Sequence, residues 1–330
     1  MPVQFGFCSS HAPSLFQDTL EGWDIVTKPR FGMRSPSGPP PPEFALEDEK
    51  LIEESYAPRS KKAFAVLKQQ MAEFDPDVLI IVGGDQGEWF DASNMPSIMV
   101  YSGVDIWGTH NVGAQDDNVN PTEDYNRFKV DFKIDRELGQ KLMDGLVKEG
   151  FDVAISTKME PQGRPARGLP HAFVHPAPWI MNRPDLPVVP VFIMTTEQTP
   201  AILTGERCVA LGRAIAKICE DSPKRIAIYG SGGLSHPSRR GWVDEPMDNW
   251  FLDRLSSGDV ESLKSMFSYR SVNTLAGNGE DRTWIVTAAA MDFTKTGHKG
   301  VTVDYFPARK GITGVGWLYY PPVEEPEPVH

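Results

Sequence analysis

Four short runs of aliphatic and β-branched residues, "DVLIIV" (77–82), "DVAIST" (152–157), "VVPVFIM" (188–194) and "RIAIYG" (225–230), are separated by stretches with helical spacing. This alternation constrains the fold more than any other feature of the chain. Ala63, Val66, Leu67, Met71 and Phe74 recur at helical intervals ahead of the first run. Leu138, Leu142, Leu146 and Val147 do the same ahead of the second, with Gly150 as the candidate helix stop, and a third helix is expected through "GERCVALGRAIAKICE" (205–220). Continuous apolar strands alternating with helices imply a sheet covered on both faces. The expected fold is α/β, a single-domain αβα sandwich over residues 1–330 with a central mixed sheet. In such sheets, polar groups at the strand ends gather along one edge. Three clusters qualify: "CSSHAPS" after an early strand at Val3–Phe7, "GGDQGEWF" after "VLIIV", and "SGGLSHPS" after "RIAIYG".

Charge and cysteine usage narrow the partners. With 45 acidic and 33 basic residues the formal net charge is -12, and no basic stripe is present, which argues against nucleic acid and anionic membranes. Cys8, Cys208 and Cys219 are odd in number and scattered, fitting neither a disulfide framework nor a thiolate zinc site, so a reducing, cytoplasmic setting is expected. No apolar run approaches the length of a bilayer span. Residues 28–43 are rich in proline and glycine and read as a loop or lid, and 321–330 as an acidic tail that frays. A homo-oligomer is the default expectation for a soluble enzyme.

Histidines concentrate where chemistry is expected: His11 in "SSHAP", His171 and His175 in "GLPHAFVHP", and His236 in "GGLSHPS". A lone loop histidine is more often solvated than functional, but several converging at strand ends shift that balance. Glu245, in "VDEPMDNWFLDRL", adds a carboxylate at the head of a helix with Phe251, Leu252 and Leu255 on its apolar face. The competing view makes Asp244 an N-cap and Glu245 a partner of the helix dipole. His11, His236 and Glu245 supply the nitrogen and oxygen donors that a mononuclear iron or zinc site requires. No GxSxG elbow accompanies Ser235, and neither "GGD" nor "GSGG" spells a phosphate-binding loop. Arg164, Arg167, Arg239 and Arg240 adjoin the histidine motifs and are candidates to pair with a substrate carboxylate.

Taken in order, "SSHAPSL", "DVLIIVGGDQGEWF", "GLPHAF" and "GGLSHPS…VDEPMDNWFLDRL" resemble the catalytic subunits of class III extradiol ring-cleaving dioxygenases. The resemblance runs from His11 to about Tyr320 and is nearest to the branch containing 3-O-methylgallate dioxygenase. It implies an αβα sandwich carrying a non-haem Fe(II) that opens a catecholic ring with O₂, and in some relatives a small accessory subunit. Transferred to this chain, His11 matches the first histidine ligand, Glu245 the carboxylate ligand and His236 the base that deprotonates the substrate. His171 matches a histidine that contacts substrate and oxygen, while His175, Arg239 and Arg240 are candidates to line the substrate.

One position departs from the pattern. Where the better-known branch has its second histidine ligand, this chain has Gln86. An amide is a poorer donor than imidazole, so Gln86 or Glu88, two residues on and facing the same side of an extended segment, is expected either to join the metal or to hold a neighbouring group in place. Asp85 reads as a structural acid that satisfies backbone donors, or as one that supports a neighbouring ligand. Two alternatives to the Fe(II) dioxygenase stay open: a non-catalytic binding protein of the same fold, and a zinc-dependent, non-oxidative enzyme. Gallate-type, methylgallate-type and protocatechuate-type substrates are not distinguished.

Overall fold

The computed structural model describes residues 3–24, 46–111, 127–195, 202–236, 243–267, 278–311 and 313–323. The proline-rich segment 28–43, Arg239, Arg240 and the tail from 324 onward lie outside the described residues. In chain order the principal elements are β1 (Phe5–Ser9), α1 (Ala57–Phe74), β2 (Val78–Asp85), β3 (Ile98–Tyr101), β4 (Ile106–Asn111) and β5 (Arg127–Phe132). They continue with α2 (Arg136–Lys148), β6 (Ala154–Ser156), α3 (His171–Val174), β7 (Val188–Met194), α4 (Gly205–Cys219) and β8 (Ile226–Ser231). The last are α5 (Glu245–Ser257), α6 (Asp281–Thr294), β9 (Val301–Ala308) and β10 (Thr313–Tyr320).

Eight strands form one mixed sheet in the order β6-β3-β7-β2-β8-β1-β10-β9, and β4 pairs with β5 in a separate antiparallel ribbon. The four central strands β7, β2, β8 and β1 are parallel, while β10 and β9 add antiparallel at one side. Strand periodicity divides the core into two layers. Val78, Ile80 and Val82 face the layer built with α2, α4 and α6, and Leu79 and Ile81 face the layer built with α1 and α3. The αβα sandwich and mixed sheet expected from the sequence are therefore present. Among the described residues, no helix is long and apolar enough to cross a membrane.

Two local expectations need correction. Val147, assigned to the buried face of α2, is 57% exposed, and Met143 and Gly139 complete that face instead. The run "DVAIST" forms only the three-residue edge strand β6, with Ile155 65% exposed, because it pairs on one side only, with β3.

The least anticipated element is α6. Every residue from Asp281 to Asp292 is buried, so this stretch has no solvent-exposed face. It packs against α4 closely enough that a Cβ on Gly212 would sit 2.1 Å from the Val286 carbonyl oxygen. At its head, Thr283 Oγ1 donates to the Ser231 carbonyl at 3.1 Å and Trp284 Nε1 to the Gly232 carbonyl at 2.6 Å. These bonds fix the start of α6 to the end of β8.

Candidate active site

The parallel register sets Ser9, Ser231 and Gly83 at one level. The segments following β1, β8 and β2 consequently leave the sheet together. His11 follows β1, Gln86 and Glu88 follow β2, His236 follows β8, and the α6 head adds Glu280. One nitrogen of His11, one of His171 and a carboxylate oxygen of Glu280 lie within 4.8 Å of one another, close enough to share a metal ion. His11 and Glu280 are buried at 4% and 5% exposure, whereas the side chains of His171 and His236 keep 17% and 21% of their surface in solvent, so the cluster is open on their side.

Hydrogen-bond partners assign the tautomers. Ser231 Oγ gives its proton to the Ala172 carbonyl at 2.5 Å and must accept from His11 Nδ1 at 2.9 Å. His171 Nδ1 meets the Glu88 carboxylate at 2.5 Å, and His236 Nδ1 meets the Leu234 carbonyl at 2.9 Å, so both donate. All three imidazoles in their neutral form therefore carry the lone pair on Nε2. His11 Nε2 lies 3.5 Å from Glu280 Oε1, and His236 Nε2 lies 4.0 Å from Glu280 Oε2. Lone pairs facing a carboxylate repel unless a cation stands among them. Burial lowers the His11 pKa against the opposing pull of Glu280, which favours the neutral, ligating form. Burial alone would raise Glu280, but the positive charge of the surrounding histidines when protonated, His11 first, outweighs it and holds Glu280 well below the usual carboxylate range. The Gly233 N–H at 3.0 Å adds a donor to Glu280 Oε2, and the position at the start of α6 suits an anion.

Gln86 lies beside the cluster, hydrogen-bonded to the carboxylate of Glu280. Its Nε2 donates to Glu280 Oε1, which orients the amide with its hydrogens toward the carboxylate. Glu88, also a candidate ligand, is 3% exposed and turns to His171, accepting from its Nδ1, from its backbone N–H at 3.2 Å and from Arg167 Nη1 at 3.4 Å. Burial opposes ionisation of Glu88, but His171 and Arg167 prevail and bring its pKa to about 2. Asp85 accepts from the backbone N–H groups of Gly87, Glu88, Trp89 and Phe90, shaping the turn that carries Gln86 and Glu88.

Glu245 is not in the cluster. Its side chain, 39% exposed, pairs with Arg309, while Asp244 caps α5 by accepting from the Met247 N–H at 3.1 Å. Asp244 thus takes the N-cap role and Glu245 stands in the first turn of α5, while the carboxylate lying among the histidines is that of Glu280. The sequence did hold a signal for Glu280: "GED" places charge at the mouth of "RTWIVTAAAM", a run that is buried throughout. His175, a candidate substrate contact, is 5% exposed and its Nδ1 donates to the His11 carbonyl at 3.2 Å, so it holds the His11 backbone. Arg167 is likewise buried against Glu88.

Two histidines and one carboxylate, within reach of one another at the strand ends of an αβα sandwich, form a donor set that could hold a metal ion. The family described as the catalytic LigB subunit of aromatic ring-opening dioxygenase matches residues 37–313, a span that includes Gln86, His171, His236 and Glu280, and the chain belongs to that family. Among curated proteins, the chain is 24% identical to a 2,3-dihydroxyphenylpropionate/2,3-dihydroxicinnamic acid 1,2-dioxygenase of Comamonas testosteroni over 70% of this chain and 79% of that protein. The same-named protein of Rhodococcus rhodochrous is 27% identical over 76% and 87% of the two chains. That of Mycobacterium sp. (strain MCS) is 30% identical over 53% of this chain and 48% of its own, so there the match spans about half the relative's length.

Proposed function

We propose that this protein is a non-haem Fe(II) extradiol dioxygenase that opens the ring of a substituted catechol, with His11, His171 and Glu280 holding the metal. The observation that carries this reading is that one nitrogen each of His11 and His171 and an oxygen of the buried Glu280 lie within 4.8 Å of one another, an arrangement that fits a cation. His171 then takes the third donor position that Gln86 does not fill. Bound Fe(II) would supply an electrophilic centre for catecholate oxygens and a route for electrons from ring to O₂.

The remaining chemistry belongs to the chain. His236 presents an unprotonated Nε2 toward the cluster and takes the proton of a substrate hydroxyl. The resulting imidazolium is stabilised by the Glu280 carboxylate 4.0 Å away. Glu88 and Arg167 lock His171, Ser231 and His175 lock His11, and Gln86 locks one oxygen of Glu280. The relatives' names support a vicinal diol on a ring bearing an acidic side chain; the resemblance in "DQGEWF" and "PHAF" adds gallate, 3-O-methylgallate and protocatechuate to the substrates to be tried.

The test is O₂ consumption by anaerobically Fe(II)-loaded protein with these four compound types, followed by the visible absorbance of a ring-opened product. Uptake matched by product, and lost in His11→Ala, is expected. A metal-replete protein that opens none of these rings would overturn the substrate class. The donor set also suits zinc; turnover with Zn(II) but not Fe(II), independent of O₂, would replace the oxidative reading with the non-oxidative one.

A further inference from the structure

The loop that delivers His236 is suspended by hydrogen bonds from four separate parts of the chain. Gly232 and Gly233 have φ of +123° and +74°, a course that favours glycine, and each successive backbone N–H then finds a different acceptor. Gly232 donates to the Ser9 carbonyl at 3.0 Å, Gly233 to Glu280 at 3.0 Å, Leu234 to the Gly314 carbonyl at 2.9 Å and Ser235 to Asp248 Oδ1 at 2.9 Å. Ser235 is the immediate neighbour of His236, and Asp248 holds it twice, its Oδ2 accepting from Ser235 Oγ at 2.8 Å. Ser235 Oγ in turn accepts from the Asp244 N–H at 2.9 Å, and Tyr305 Oη donates to Asp248 Oδ2 at 2.9 Å. Asp248 is fully buried, and the space beside it is closed: a Cβ on Gly314 would lie 1.9 Å from its Oδ2.

A buried carboxylate that spends both oxygens on one residue beside a proposed base, with no described contact to the metal cluster, has a role that the cluster does not explain. Its geometry bears on the carbonyl of Leu234, because the Leu234–Ser235 peptide is the unit Asp248 grips from the N–H side, and that peptide's oxygen accepts His236 Nδ1. Fixing this peptide plane fixes where the carbonyl points, and so which ring nitrogen of His236 keeps its proton. We infer that Asp248 is the positioning residue for His236, holding the Leu234–Ser235 peptide so that the ring stays in the tautomer whose Nε2 faces the cluster. The inference rests on the proposed role of His236 as base.

The experiment uses ring-¹⁵N-labelled histidine in the full chain, with His236→Gln assigning the His236 signals. The wild type is expected to show the Nδ1–H tautomer, and Asp248→Asn and Ser235→Ala a mixture, with His11 signals and metal content unchanged. An unaltered His236 tautomer in either folded variant would overturn the proposal, and Ser235→Ala serves if Asp248→Asn does not fold. Turnover gives the second readout: Asp248→Asn should lower kcat about tenfold with KM within about twofold, and should cost nothing further in the His236→Gln background. A full, additive loss in that background would mark Asp248 as merely structural. Absence of catechol turnover in the wild type would count against the proposed reaction, while the ring spectra would still decide the positioning.

Discussion

Glu88 and His171 form the tightest carboxylate–imidazole pair around the cluster, with Glu88 Oε2 2.5 Å from His171 Nδ1 and also 3.2 Å from the His171 backbone N–H. The two residues come from the end of β2 and the start of α3, so this pair ties the α3 layer to the sheet edge. It sets the ring's tautomer and increases the basicity of the opposite nitrogen, as carboxylates behind metal-binding histidines do. Glu88→Gln should therefore weaken metal binding by roughly 10- to 100-fold. Competition for Co(II) or Fe(II) against a chelator of known affinity measures this directly, and unchanged affinity would remove His171 from the ligand set.

The carboxylate assignment is testable by a matched pair. Glu280→Ala should abolish metal retention after loading and desalting, while Glu245→Ala should retain it. Loss of the half-exposed pair with Arg309 should cost Glu245→Ala no more than about 1 kcal/mol of stability. Metal retained by the Glu280 variant and lost by the Glu245 variant would reverse the assignment.

Gly212 offers a test of the buried helix pair. In a helix interior, replacing glycine by alanine normally gains up to about 1 kcal/mol. Here the added methyl would stand 2.1 Å from the Val286 carbonyl, and α4 and α6 must separate to admit it. Overpacking of this kind costs about 1–3 kcal/mol, so Gly212→Ala should destabilise on balance, read as a lower urea midpoint with an unchanged slope.

Asp248 predicts a pH dependence with a definite sign. Burial raises its pKa from 3.8 to about 6, against the hydrogen bonds from Ser235 and Tyr305. The folded protein then binds a proton more tightly than the unfolded chain, so this group's contribution to stability falls as pH rises from about 4 to about 6. Urea unfolding across that range should give a dependence of stability on pH that is more positive in Asp248→Asn than in the wild type; parallel curves would show that Asp248 titrates normally.

The layers of the fold were legible because each rests on local pattern. "DVLIIV" and "RIAIYG" became β2 and β8, and the periodic runs became α1, α2 and α4, since apolar spacing of this clarity admits few other arrangements. His11, His171 and His236 were legible as strand-end or turn histidines. Glu280 was legible only as a charge at a helix boundary, because it precedes a helix buried on every side and nothing local marks such a charge as a donor. Glu245 attracted attention for the converse reason: an acid at a helix start has an electrostatic explanation of its own, and nothing in local sequence tells such an acid from a ligand. Whether Gln86 touches metal or Glu280 depends on a neighbour 194 positions away, which no local pattern encodes.

The four acceptors that suspend the loop before His236 lie at positions 9, 248, 280 and 314, so the shape of residues 232–235 is set largely by distant parts of the chain. Such contacts form only after distant strands have met, and closing loops of that span is slow. β1 must already lie between β8 and β10 for the Ser9 and Gly314 acceptors to be in place, which makes assembly of the base dependent on both sides of the sheet.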